Sequence, residues 1–369
     1  MHIPDGYLSP QTYIPAYGVM IPLWTIASRK LKKTLRSRQA PMLAIAAAFC
    51  FVVMMFNIPI PGGTTGHATG AVLIAILLGP WAAMISVSLA LIVQALLFGD
   101  GGVTAIGANC FNMAVVMPLA GWGVYRLIAG SAPAKSARHK IGGAVGGYIG
   151  LCLAALTTAI MFGIQPIIAH GADGRALYCP FGLKVAVPVM LAEHLLLFGF
   201  VEAAVTALVI AYIQKIEPSM IARREPRPPN DDSGDKPGGR GSRRALTFYK
   251  RLTLGLLLLA LLSPLGLYLP AKFGAGSAWG EWSASEIQKL AGYIPCQFKS
   301  IESIWKAPLP DYTVPGGEAA SAGVSYLWYV VSAILGIGII VIVSIALRKV
   351  FIGKEPDVTA GVDAKSDKN

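Results

Sequence analysis

The chain is 369 residues long, 54% hydrophobic and 14% charged, with a mean hydropathy of +0.60. Soluble domains carry about 25% charged residues, so a soluble globular protein is excluded and repeated passage through a bilayer is expected. The net charge of +12 sits in clusters beside apolar spans, the pattern of cytoplasmic loops facing anionic headgroups. No aromatic residues interleave with those clusters, which argues against nucleic acid.

The first residues are Met1-His2-Ile3-Pro4-Asp5-Gly6. A free amine followed at once by histidine is a compact chelator. The Met1 α-amine, the His2 backbone nitrogen and His2 Nδ1 close a five-membered and a six-membered ring around one ion, leaving one in-plane corner open. Giving up the amide proton is costly, so the pattern selects ions that prefer tetragonal nitrogen ligands, Ni(II) or Cu(II) before Zn(II) or Mn(II). The chemistry needs Met1 to be retained, as expected before a large second residue. It also needs no cleaved leader, and these residues lack the basic and apolar regions of a secretory signal.

The first apolar segment, about Tyr13 to Ala27, ends at Arg29, Lys30, Lys32, Lys33, Arg36 and Arg38, a cytoplasmic marker that puts the amino terminus outside. Met42 to Ile58 returns outward to an uncharged loop, Pro59 to Gly70, which contains His67. Ala71 to Leu78 is too short to span and reads as a partly re-entrant helix broken at Gly79-Pro80. Trp81 to Phe98 and Val103 to Ile128 are spans joined by the turn Asp100-Gly101-Gly102. Arg126, Lys135, Arg138 and Lys140 mark a second cytoplasmic loop. Ile141 to Ile164 crosses outward, with Gly143 and Gly147 spaced for close helix contact. An outer loop holds His170 and Asp173, and Val185 to Ile213 returns inward.

Composition changes at residues 216–245, where Arg223, Arg224, Pro226, Arg227, Pro228, Pro229 and then Asn230 to Gly234 read as a flexible cytoplasmic linker. Leu252 to Leu269 and Val324 to Leu347 are two further spans around an outer loop, 271–324. Arg348, Lys349 and Lys354 close the last helix inside. The expected fold is therefore an all-α polytopic membrane bundle. It has about seven membrane helices in a module over 1–215, a linker over 216–245, a two-span module over 246–354 and a cytoplasmic tail over 355–369.

This topology places His67 on the same side as the amino terminus, so its ring can supply the fourth nitrogen. Asn109 and Asn112 share a helix face, directed either at the metal cavity or at a neighbouring helix. Glu193, His194 and Glu202 lie in an apolar span, where ionisable groups feed a metal path, hold a partner or pair internally. His139 and His170 read as solvated loop residues. Cys50, Cys110 and Cys152 read as packing residues, and Cys179 and Cys296 fall on one side of the membrane, where a disulfide is conceivable. There is no CxxC pair, no P-loop and no HExxH or GxSxG signature.

Met1 to Leu8, Gly62 to Gly70, and Gly107-Ala108-Asn109-Cys110-Phe111-Asn112-Met113 together closely resemble the CbiM/NikM family, the substrate-binding membrane subunits of nickel and cobalt energy-coupling-factor transporters. The resemblance covers residues 1–215. Residues 246–352 resemble, more loosely, the accessory subunit of the nickel branch. That likeness rests on Ser263-Pro264-Leu265-Gly266, Ala278-Trp279-Gly280-Glu281-Trp282 and Trp305 to Tyr312.

The resemblance implies Ni(II) or Co(II) as cargo, held by the Met1 amine, the His2 amide nitrogen, the His2 ring and the His67 ring. Asp5, Thr64, Thr65, Asn109 and Asn112 are candidate acceptors for the outward ring N–H of a bound histidine. It further implies a membrane coupling (T) subunit and two cytoplasmic ATPase (A) subunits as partners in the bacterial inner membrane, and no catalysis by this chain. Rival readings are the same role for Co(II) feeding cobalamin synthesis, a membrane metal sensor or store without ATPases, a membrane metalloenzyme, and a vitamin-binding subunit of the same transporter class.

Overall fold

Apolar composition decides where the helices run, and small residues decide how near they come. The computed structural model describes residues 1–34, 40–221, 240–302, 304–314 and 321–351. Helix α1 (Pro10–Thr34) carries Pro15 and Pro22 and ends in lysines, and α2 (Ala40–Met54) is short and apolar. A two-residue hairpin, β1 (Ile58–Pro59) paired antiparallel with β2 (Thr65–Gly66), leads to His67. Helix α3 (Ala71–Leu78) follows, and α4 (Pro80–Val93) starts directly after Gly79 and continues as a π-helical turn, Gln94–Phe98. Helix α5 (Ile106–Asn109) runs through a second π turn, Cys110–Val116, into α6 (Met117–Ala129). Then come α7 (Ala137–Gly163), the short α8 (Gln165–Ile168), and α9 (Leu183–Glu193), which passes through a third π turn, His194–Phe198, into α10 (Gly199–Ile216).

The stretch expected from sequence to be a second module holds α11 (Arg240–Leu262), α12 (Leu265–Phe273), the small helices α13 (Ala284–Ala291) and α14 (Cys296–Ile301), and α15 (Ala322–Phe351). The loop between its two long helical segments is thus partly helical. Ser283 and Glu286 form a reciprocal cap that starts α13. Helix α11 takes in Arg240 to Ala245 at the end of the sequence-assigned linker. Residues 222–239, with the linker's Arg223 to Gly234, lie outside the described residues, as do Arg36, Arg38, Lys354 and the tail 355–369.

Among the described residues, six helices are long and apolar enough to cross a membrane: Pro80–Phe98, Ile106–Ala129, Ala137–Ile168, Leu183–Ile216, Leu246–Phe273 and Ala322–Leu347. The chain is a multi-pass helical membrane protein. The sequence count of seven plus two included α1, α2 and α3. Of these, α2 and α3 are short, and the apolar run of α1 is diluted by Tyr13, Pro15, Tyr17 and Pro22.

In lipid, association of helices relies on close packing and interhelical hydrogen bonds, because tails are as apolar as the side chains. Helix α7 is built for this on two faces. A Cβ at Gly146 would stand 2.5 Å from the Gly121 carbonyl of α6, and one at Gly143 would stand 2.3 Å from Ile210 of α10. The second module packs on the first through α15, where Tyr329 donates to the Met55 carbonyl at 2.9 Å. Cys50, Cys110 and Cys152 are buried as expected. Cys179, buried, and Cys296, exposed, are free thiols.

Candidate metal centre

An amino-terminal strand frays unless its main-chain groups find partners. Here Asn109, at the end of α5, imitates the edge of a β-strand. Its Oδ1 accepts from Ile3 N at 2.8 Å, and its Nδ2 donates to Ile3 O at 3.1 Å. Gly102 N adds a second donor to Ile3 O at 2.8 Å. The next residue, Pro4, has no N–H to satisfy. The Asp5 carboxylate then accepts from Val103 N at 3.0 Å, from Thr104 N at 2.8 Å and from the Thr104 hydroxyl. Tyr7 exchanges hydrogen bonds with the main chain of Trp282 in the second module, and Ser9 N donates to Gln165.

The strand is therefore drawn inside: Met1, His2 and Ile3 are 5%, 2% and 0% exposed. Its direction brings His2 against His67, itself 6% exposed, with ring centroids 5.0 Å apart and planes at 28°. His67 Nδ1 lies 3.1 Å from the Ala68 carbonyl, so that nitrogen carries the proton and the lone pair sits on Nε2. Burial first, then the neighbouring His2 and terminal amine, push the His67 pKa well below the ordinary imidazole range. Its ring is a neutral donor. The Nε2 atoms of both His2 and His67 are buried and without a hydrogen-bond partner, whereas buried polar atoms normally have one.

His2 Nδ1 lies 2.8 Å from Asp100 Oδ1. The other Asp100 oxygen accepts from the Tyr312 hydroxyl and from Gln94 Nε2 at 3.2 Å. Desolvation alone would raise this carboxyl, but His2, then Tyr312 and His67, hold it well below the usual carboxylate range. The Met1 amine pairs with Glu281 Oε1 at 3.3 Å. Among the described residues no group of three or more His, Cys, Asp or Glu side chains is placed to hold a metal ion. What converges is two imidazoles and a terminal amine.

The remaining sequence candidates are placed as follows. Asn109 pins the strand's main chain, and the Asp5 carboxylate bonds the turn at Val103 and Thr104; neither bonds a ring. Thr64 donates to the Ser277 carbonyl at 3.2 Å, and Thr65 is buried in β2. Asn112 donates to Thr158 at 2.9 Å, a bond between neighbouring helices, and its Oδ1 is unpartnered. The ring acceptors are instead Asp100 and the Ala68 carbonyl. Glu193 and His194 are neighbours at 3.5 Å, and Glu202 bonds the loop that follows His67.

His139 corrects the reading of a solvated residue. It is 3% exposed, with Nδ1 2.7 Å from the Tyr125 hydroxyl and Nε2 3.1 Å from the Ala132 carbonyl. His170 is exposed as expected. Sequence reading passed over Asp100, seen only as a turn residue, and Glu281, seen only within a motif. A lone carboxylate in the outer turn beside the expected site was an available signal for the first.

The fold places the chain among polytopic transition-metal transporters. It matches the crystal structure of a truncated transition metal transporter with TM-score 0.55 and 52% identity, over 58% of this chain and 99% of that one. Residues 2–220 match the CbiM family, described as the cobalt uptake substrate-specific transmembrane region, and the chain belongs to that family. It is 42% identical over 357 residues to the fused nickel transport protein NikMN of Rhodobacter capsulatus, covering 92% of this chain and 95% of that protein. It is 40% identical to the probable fused nickel transport protein LarMN of Lactiplantibacillus plantarum, covering 91% and 94%.

Proposed function

We propose that this chain is the substrate-capture subunit of an ATP-driven, energy-coupling-factor type importer. In this reading its cargo is Ni(II), held by four nitrogens in a plane: the Met1 amine, the His2 amide, His2 Nδ1 and His67 Nε2. The observation that carries the reading is the burial of the chain's first two residues against His67, whose Nε2 is left unpartnered. Four in-plane nitrogens, one of them an ionised amide, suit low-spin d⁸ nickel, and copper is kept out by availability rather than affinity. Names of relatives that align along nearly the whole chain also favour nickel.

Loading carries a specific requirement. The chelate uses His2 Nδ1, which in the structure faces Asp100, and the amine, which faces Glu281. Both contacts give way as the amine and amide lose their protons and the ring turns toward the ion. Asp100 and Glu281 are then carboxylates beside a bound dication. Residues 246–354 act as the accessory module, whose outer loop covers the strand through Trp282 and Glu281. Energy comes from partners, a membrane coupling subunit and two cytoplasmic ATPases, with the amino terminus outside the inner membrane and the carboxyl terminus in the cytoplasm.

A second reading, the same site loaded with Co(II), is favoured by the cobalt-uptake description of the family. The direct test is an extension of a few residues before Met1. It is expected to abolish stoichiometric Ni(II) in purified protein while leaving the bundle folded. Retained stoichiometric nickel in the extended protein overturns the chelate.

A further inference from the structure

We propose that Glu202, in the last span of the first module, is the positioning residue for His67, an assignment that rests on His67 being a metal ligand. A carboxylate within an apolar span is costly unless its oxygens are satisfied. Glu202 is 0% exposed, and its oxygens accept from main-chain N–H groups of the loop that follows His67. Its Oε2 accepts from Thr69 N at 2.7 Å and from Gly70 N at 3.2 Å, and its Oε1 accepts from Gly70 N at 3.1 Å. Gly70 sits at φ +71° and precedes the first turn of α3, a conformation that costs glycine little. Successive N–H groups in such a turn make a small anion-binding concavity, here filled by the chain's own carboxylate.

The same helix grips the loop on the other side of His67. Phe198, one turn before Glu202, packs so closely on Gly66 that a Cβ there would stand 2.5 Å from the ring. Gly66 precedes His67, and Thr69 and Gly70 follow it, so the histidine is bracketed by two contacts from one helical unit. The imidazole is tied to that backbone because Nδ1 bonds the Ala68 carbonyl of the same loop. The direction of Nε2 is thus set by where α10 holds residues 66–70. Helix α7 backs the arrangement, since a Cβ at Gly147 would lie 3.2 Å from the Glu202 carbonyl.

The experiment uses the full chain with its native start and compares the parent, Glu202→Gln, His67→Ala and the double variant. The Gln variant keeps the shape but turns an amide N–H₂ toward the N–H groups that the carboxylate held. Ni(II) affinity, read against a competing chelator, is expected to fall 10–100-fold in Glu202→Gln, the usual cost of losing a group that orients a ligand. Cu(II), which the amine–amide–imidazole chelate retains without His67, separates a local role from a global one. Its paramagnetic resonance spectrum is expected to change with Glu202→Gln when His67 is present and to stay the same when it is not.

Parent-like nickel affinity in Glu202→Gln alongside an impaired His67→Ala overturns the positioning role and leaves the metal site standing. Equal spectral changes with and without His67 also overturn it. Parent-like affinity in His67→Ala overturns the metal site and the positioning role together. Should Glu202→Gln fail to accumulate as folded protein, Phe198→Ala removes the other grip without burying a new polar group. It carries the same expectation, and unchanged affinity in it overturns the proposal.

Discussion

The two imidazoles that meet at the centre of this protein are held in different ways. The His67 ring and the residues directly beside it are held from within residues 1–221: its Nδ1 partner is the next residue's carbonyl, and Phe198 and Glu202 hold Gly66, Thr69 and Gly70, while the hairpin before it also meets residues 273–277. His2 and the amine beside it depend on both modules. Asp100 is held by Tyr312, and Met1 pairs with Glu281, both from the segment between α12 and α15. One imidazole is thus built into the bundle, while the other and the amine sit on a strand that residues 281–312 help to hold. This division fits a site that must be rigid on one side and able to close on the other.

The largest expected effect comes from removing either ring. His2→Ala and His67→Ala should each bring copurified nickel to background by elemental analysis, while size-exclusion profiles stay those of the parent. Metal retained in either variant breaks the symmetry of roles between strand and loop. A smaller effect separates the modules. Tyr312→Phe removes the hydroxyl that holds Asp100 as a carboxylate beside the bound dication and should weaken nickel about tenfold by chelator competition, toward the low end for a group outside the ligand set. It should leave His67 in place, so its effect and that of Glu202→Gln should add. A non-additive double variant would mean that the two halves are coupled.

His139→Ala sharpens the comparison from outside the site. It leaves the Tyr125 hydroxyl and the Ala132 carbonyl without a buried partner, at a cost of about 1–3 kcal/mol in unfolding free energy, with metal content unchanged. His170→Ala should change neither stability nor metal content, since the ring is exposed. Loss of metal in either variant, measured on folded protein, would place a ligand where the structure has none.

Part of this was readable from residue order. The alternation of apolar spans and basic clusters put His67 and the amino terminus on one side, and the structure brings their rings to 5.0 Å. The break at Gly79-Pro80 and the close glycine face of α7 were also legible, because both follow from local backbone sterics. The π turns at 94–98, 110–116 and 194–198 were not, since one extra residue in a turn leaves the apolar pattern almost unaltered. Glu202 stood out as an ionisable residue in a span, but its partners are main-chain amides, which every residue has. Glu281 acts across more than two hundred residues of chain, and no periodicity records that. His139 was misplaced because its neighbours are basic, although the start of α7 folds its ring back onto Tyr125 of α6.

In the proposed site the protein's own terminal amine and first amide bind the cargo. Nickel-edge X-ray absorption on the loaded, untagged full chain addresses it most directly. A square-planar edge with a single shell of short nickel–nitrogen bonds and no sulfur is expected. A six-coordinate edge with oxygen ligands, or a planar spectrum that survives extension of the chain before Met1, would contradict it.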